Sequence, residues 1–238
     1  MKERFSDAEC EFEINFDSSA GGQAVVFLHG WGGGIQSFSA AYNAVCDLGY
    51  NAVNFAFPKD VPSDWGVYEY AAHVHEFFRR HGIEKPIIVG HSFGGRVGII
   101  LASKGVCGGL VLVDSAGMKP KPSLIKKIRV ARYRYRVRRG KPLDGMGSKD
   151  YNSLKAEMRP VFVRIVNTHL ERLLEHIHCP SLIIWGKRDK DTPPYMARRL
   201  NRRIAGSRLE YIDGDHFCYI QSHYAFVKLL KNFLSETV

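Results

Sequence analysis

Gly90-His91-Ser92-Phe93-Gly94-Gly95 stands between Pro86-Ile87-Ile88-Val89, a short β-branched run that reads as a buried strand, and Arg96-Val97-Gly98-Ile99-Ile100-Leu101-Ala102, whose apolar spacing is helical. Strand, sharp turn, helix is the setting in which G-x-S-x-G carries chemical meaning. Glycines two residues to either side of Ser92 let the backbone turn tightly enough to hold a serine in a strained conformation with its hydroxyl exposed. The competing reading is a glycine-rich strand-to-helix turn with an incidental serine, and only the rest of the chain can separate the two.

Working outward, Ala24-Val25-Val26-Phe27-Leu28, Asn51 to Phe57 and Gly109 to Asp114 read as further strands. Helices are expected from about Ser37 to Leu48 and over Val67 to Phe78, where Val67, Tyr70, Ala71, Val74, Phe77 and Phe78 share one face. Glu9 to Phe16 alternates like a half-exposed strand, and Ser18 to Gly22 supply a turn. Strands resume at Ser181 to Trp185 and Arg208 to Ile212, and a last helix turns Phe226, Leu229, Leu230 and Phe233 inward. Alternating strands and helices predict an α/β fold with a doubly wound, mostly parallel sheet. From Met118 to about His178 no strong strand occurs. Leu124, Ile128, Ala131 and Tyr135 fall at helical spacing, and Val161, Ile165, Leu170, Leu173 and Leu174 mark shorter helices. The expected organisation is therefore a core of residues 1–117 and 179–238 with a helical cap inserted over 118–178.

Composition bounds the function. The chain has 238 residues, 45% hydrophobic and 24% charged, enough for one domain with a substantial core. No apolar stretch approaches a membrane span, and Met1 to Asp7 lacks the apolar core of a signal peptide, so a cytoplasmic protein is expected. Five scattered cysteines without a C-x-x-C pair are expected as reduced thiols; Cys218 lies near His216. The net charge of +10 is concentrated. Eleven Lys or Arg and no acid lie between Met118 and Lys141, leaving 23 of the 34 basic residues against 24 acids elsewhere.

Three strand ends carry the chemistry. His29-Gly30-Trp31-Gly32-Gly33-Gly34 offers free backbone N–H groups to something negative, a phosphate or an oxyanion. Ile35-Gln36 replaces the Lys-Ser/Thr that a P-loop needs, and G-x-G-x-x-G is not met. Trp185-Gly186-Lys187-Arg188-Asp189-Lys190-Asp191 places carboxylates after one strand, and Asp213-Gly214-Asp215-His216-Phe217 places a histidine after the next. In a parallel sheet such loops gather at the carboxyl edge, so Ser92, Asp189 and His216 can meet although distant in sequence. His73, His75 and His81 read as packing or surface residues, since no carboxylate or cysteine spacing accompanies them.

Along nearly its whole length the chain resembles the α/β-hydrolase superfamily: H-G-x-G-G at 29–33, G-H-S-F-G-G at 90–95, W-G-x-x-D at 185–189 and G-x-H-F at 214–217, in the family's Ser, Asp, His order. The resemblance implies Ser92 as nucleophile, His216 as general base and then acid, and Asp189 as the group orienting the imidazole. It implies an oxyanion hole from the backbone N–H groups of Trp31 and Phe93, and no metal or organic cofactor. Asp189 rather than Asp191 stands three residues after the turn glycine Gly186, where the family's acid sits. His29 is expected to hold the glycine loop, and His91 to pack or hydrogen-bond under the elbow.

Departures from the family narrow the substrate. Asn54 to Asp60 replaces a common D-x-P-G-x-G-x-S loop. His91 stands where carbon-carbon hydrolases of the superfamily usually have Asn, a serine nucleophile argues against haloalkane dehalogenases and epoxide hydrolases, and no acidic cluster of the aminopeptidase kind is present. The expected activity is carboxylesterase-like hydrolysis of a small or medium ester through an acyl-enzyme. Alternatives are a carbon-carbon bond hydrolase or cofactor-free peroxidase-like enzyme on the same triad, and, from another class, a non-catalytic ligand-binding or interaction protein. The basic segment reads either as a solvated face or as a docking surface for an anionic substrate or acidic lipid headgroups; no nucleic-acid motif accompanies it.

Overall fold

In chain order the strands are β1 (Lys2–Phe5), β2 (Ala8–Asn15), β3 (Val25–Leu28), β4 (Ala52–Ala56), β5 (Ile87–His91), β6 (Gly109–Val113), β7 (Ser181–Gly186) and β8 (Arg208–Ile212). The helices are α1 (Ser39–Asp47), α2 (Val67–Arg80), α3 (Phe93–Ser103), α4 (Leu124–Arg138), α5 (Lys149–Ser153), α6 (Met158–Asn167), α7 (Tyr195–Arg203), α8 (Cys218–Gln221) and α9 (His223–Thr237). The computed structural model describes residues 1–5, 8–15, 23–122, 124–140 and 148–237. Phe16, the Ser18-to-Gly22 turn and Lys141 lie outside the described residues, as do the side chains of Leu124, Lys126, Lys127 and Arg129.

Every residue of β3 to β7 is buried, as expected of strands covered on both faces. Alternate side chains enter two separate apolar layers. Val26, Leu28, Ile88, Leu110, Leu112 and Ile183 face α2, α3 and α7, whereas Val25, Phe27, Val89, Val111 and Ile184 face α1 and α9. The fold is thus an α/β doubly wound sheet in the order β1-β2-β4-β3-β5-β6-β7-β8, parallel except where β2 pairs with β1 and β4. The sequence reading passed over β1, whose Lys-Glu-Arg-Phe composition lacks the apolar alternation of a core strand. It forms an antiparallel edge, where a charged strand is tolerated.

The order of strands creates a place for a site. β3 pairs with β4 on one side and β5 on the other, so the loops leaving β3 and β5 emerge side by side at the carboxyl edge. Register puts Leu28 beside Gly90, and His91 beside Val113.

Among the described residues between β6 and β7 the regular elements are helices. Met158, Val161 and Ile165 of α6 and Leu170 and Leu174 beyond it are buried in the same apolar layer as the sheet. α4 behaves differently. The spacing of Leu124, Ile128, Ala131 and Tyr135 predicts an apolar face, yet Ile128 is 67% and Tyr135 52% exposed and Ala131 is exposed as well. Arginines at every second position from 132 to 138 interrupt any stripe wide enough to bury. Among the described residues no helix is long and apolar enough to cross a membrane.

Candidate active site

Ser92 follows β5 and is the N-cap of α3, at φ 48° and ψ −104°, a positive-φ conformation that a non-glycine residue adopts only where its surroundings impose it. The imposition is visible at Gly94, where a Cβ would lie 2.0 Å from the carbonyl oxygen of Leu28. Only glycine lets α3 start that close to β3, and Gly94 N uses the approach to donate to His29 O at 3.1 Å. The elbow and the glycine loop are thereby joined backbone to backbone.

Three side chains converge there. His216 Nε2 lies 3.0 Å from Ser92 Oγ, and His216 Nδ1 lies 2.9 Å from Asp189 Oδ2. A carboxylate only accepts, so the imidazole carries its proton on Nδ1 and offers the Nε2 lone pair to the hydroxyl. Asp189 is held in turn: its Oδ1 accepts from the backbone N–H groups of Asp191 and Thr192 at 2.8 and 2.9 Å, and its Oδ2 is 2.6 Å from the Thr192 hydroxyl. Burial would raise the Asp189 carboxyl, but hydrogen bonds from His216 and Thr192 outweigh it and hold it below the usual range. Burial also opposes protonation of His216, yet the hydrogen bond and charge of Asp189, with Asp114 and Asp191 behind it, leave it raised. A hydroxyl so placed can pass its proton to Nε2, and the resulting imidazolium faces a carboxylate.

Asp191, the alternative acid, is exposed and reaches Asp189 through its backbone alone. Asp189, Asp191 and His216 are the one group of potential metal-ligating side chains within 4.8 Å of each other among the described residues. His216 Nδ1 and Asp189 Oδ2 are hydrogen-bonded to each other, and the Asp191 carboxylate takes no part in that bond.

Trp31 and Phe93 come together, their rings edge to face with centroids 5.4 Å apart. Phe93 is the first residue of α3, so its N–H has no acceptor within the helix. His29 donates from Nδ1 to Gly30 O at 2.6 Å and accepts at Nε2 from Phe57 N at 3.1 Å, and burial lowers it to about 4. It is a neutral brace between the loops after β3 and β4. His91 is buried, lowered by burial to about 3, and donates from Nε2 to the backbone oxygen of His216 at 2.7 Å. It fixes the loop that carries His216. His73 is buried against Trp65 and Phe55, His75 is exposed, and His81 lies 2.8 Å from Glu3.

Ser92 and His216 open into a cavity of about 590 Å³ rimmed by Ser37, Ser148, Asp150 and Asp191. A second, apolar cavity of about 260 Å³ is lined by Trp31, Phe57, Tyr70, Phe93, Leu154 and Met158. Trp31, Gly32 and Gly33 border both. Sequence reasoning passed over Thr192 and Asp114. The second had a signal, a carboxylate ending a wholly apolar strand at the edge where ligands gather.

A family model described as "Alpha/beta hydrolase family" matches residues 25–229. The pimeloyl-[acyl-carrier protein] methyl ester esterase of Neisseria meningitidis is 36% identical over 63 residues, 26% of this chain and 24% of that protein; the match thus spans about a quarter of the curated relative. Among solved structures, a hydrolase from Pseudomonas aeruginosa PA01 superposes with TM-score 0.77 at 16% identity, covering 98% of this chain and 97% of the other. The enol-lactonase from Burkholderia xenovorans LB400 gives 0.75 at 19%, covering 99% and 100%. A thermophilic esterase from Thermogutta terrifontis gives 0.75 at 20%, covering 97% and 94%. At such identities the likeness is one of fold, and with the family match it decides the assignment. The chain belongs to the alpha/beta hydrolase family.

Proposed function

We propose that this protein is a serine hydrolase that cleaves a small or medium carboxylic ester through an acyl-enzyme. The observation that carries the reading is the unbroken hydrogen-bond chain from Asp189 through His216 to a serine hydroxyl, at 2.9 and 3.0 Å. The esterase and lactonase activities of the relatives named above point the same way.

Ser92 Oγ attacks the ester carbonyl carbon as its proton passes to His216 Nε2. The carbonyl oxygen becomes an oxyanion and accepts from the backbone N–H groups of Trp31 and Phe93; losing one such donor typically costs about 3 kcal/mol of transition-state stabilisation. Collapse breaks the bond to the alcohol oxygen, which takes the proton from Nε2. Water then attacks the acyl-serine, gives a proton to Nε2, and the acid leaves as Ser92 recovers it. Asp189 holds the imidazole tautomer and faces its positive charge throughout.

The leaving oxygen must lie at Nε2, which opens into the polar cavity. The acyl half therefore takes the apolar cavity beyond Trp31 and Phe93. With Asp150 and Asp191 at its rim, the polar cavity suits a neutral or cationic alcohol half rather than the anionic one that the basic segment alone would favour.

Turnover of short-chain p-nitrophenyl esters tests the reading, together with labelling by a fluorophosphonate. Ser92→Ala is expected to abolish labelling and lower kcat about a millionfold. Wild-type protein that neither turns over an ester nor labels overturns the proposal.

A further inference from the structure

Asp189 and His216 leave different strands, and the hydrogen bond between their side chains does not by itself fix one loop root against the other. A third carboxylate does. Asp114 follows β6, has no exposed surface and adopts φ 43°. Its Oδ1 accepts from Gly186 N at 2.7 Å, three residues before Asp189, and its Oδ2 accepts from the Cys218 thiol at 2.9 Å, two residues after His216. Its backbone oxygen lies 3.1 Å from the Thr192 hydroxyl, the group that touches Asp189 Oδ2. One hydroxyl proton serves one acceptor at a time, and the shorter contact is to Asp189.

We propose that Asp114 is a positioning residue of the Ser92 site: a buried carboxylate that ties the loop bearing the acid to the loop bearing the base, and places a second negative charge behind the imidazole. The proposal rests on the serine-hydrolase reading. Two donors, an N–H and an S–H, converge on this side chain, and a carboxylate is the one isostere that accepts from both. An isolated buried carboxylate is costly, so a mere loop tie has no use for the charge. The neighbour that gains from it is the imidazolium formed when Ser92 gives up its proton.

The groups facing His216 are Asp189, Asp114, Asp191 and Asp215, and the ring of His91, which stays neutral. Those facing Asp114 are Asp189, His216, Cys218 and Tyr219. Burial pushes Asp114 up to about 7 against the hydrogen bonds from Cys218 and Gly186, so its charge grows as the pH rises through neutrality. The Asp114 carboxylate favours the imidazolium and the imidazolium favours the carboxylate.

Two variants test this with opposite signs. Asp114→Asn keeps the shape and removes the charge. His216, followed by NMR, is expected to titrate about one pH unit lower, the acid limb of kcat/KM to move with it, and kcat at the plateau to fall about tenfold with KM little changed. Cys218→Ser replaces a weak donor by a stronger one, favours the ionised form of Asp114, and is expected to move His216 and the acid limb to higher pH. A tie without an electrostatic role moves neither. An unchanged His216 titration in both folded variants, or a shift of the same sign in both, overturns the proposal. If Asp114→Asn does not fold, Cys218→Ser decides alone: an upward shift supports the proposal and none overturns it. The NMR titration reads Asp114 even where no ester is turned over, whereas fluorophosphonate labelling of Ser92 reads the hydrolase proposal by itself.

Discussion

At residue scale the site depends on side chains that are absent as much as on those present. Gly94 has no room for a methyl group: its Cβ would meet Leu28 C and O at 2.5 and 2.0 Å, both backbone atoms that cannot rotate away. Gly94→Ala is therefore expected to push α3 off β3, at a cost of about 3 kcal/mol, and to tilt Ser92 away from His216. A lowered thermal midpoint together with lost fluorophosphonate labelling checks it; wild-type stability would contradict the steric argument. This is also why the elbow was legible in the sequence, since a backbone approach of this kind leaves glycine as the one tolerated residue and the requirement is local. Asp114 and Thr192 were not legible. The place of Asp114 at a strand end flags it as a polar group near the site, but what it does comes from Cys218, 104 residues further along the chain, and Thr192 takes its meaning from Asp189 beside it and from Asp114, 78 residues before it.

At the scale of elements, the buried strands were readable because both faces demand apolar residues, and the helices between them because one face does. The stretch between β6 and β7 divides on the same principle. α6 has a buried face, and its Met158 reaches the apolar cavity beside Trp31 and Phe93. Enlarging that side chain should shorten the chain the cavity admits: Met158→Trp is expected to leave acetyl-ester turnover near wild type and lower kcat/KM for octanoyl esters at least tenfold, a steady-state comparison across acyl lengths. An equal loss for both would place the acyl group elsewhere. Among its described side chains α4 shows no such face, and its charges repel one another along the helix, Arg134 and Arg138 being four residues apart. Arg134→Glu creates an attractive pair in the favourable order, so about 0.5 kcal/mol of added helix stability is expected, read as slower amide exchange across 124–138 with ester turnover unchanged. Helical spacing alone could not foretell that Ile128, Ala131 and Tyr135 are exposed, because burial depends on what a second element offers them.

At the scale of the whole molecule, buried histidines link the architecture to pH. His29, His73 and His91 all lie within the fold with neutral rings, lowered by burial to about 4, 4 and 3. In the unfolded chain each titrates near 6.5. Between those values the unfolded state binds more protons, so stability must fall as the pH drops below 6.5, by up to about 1.4 kcal/mol per pH unit for each histidine. Asp189, held below its ordinary range, adds to the loss below the usual carboxylate value. Asp114, pushed up to about 7, works in the other direction, since its folded form takes a proton before the unfolded one does. Below 6.5 three histidines stand against Asp114, while His216, which is raised, already holds its full stabilisation there and adds no slope, so acid is the destabilising condition. Denaturant midpoints measured from pH 7.5 to 4.5 are expected to decline steeply below 6.5, and His73→Phe, which keeps the ring among Phe55 and Trp65 and removes one of the three titrating rings that Asp114 partly offsets, to flatten that decline by about a half. A midpoint that stays level across the range would mean that protons enter these rings without unfolding the chain, and that His29 and His91 do not brace the loops in the neutral form their hydrogen bonds require.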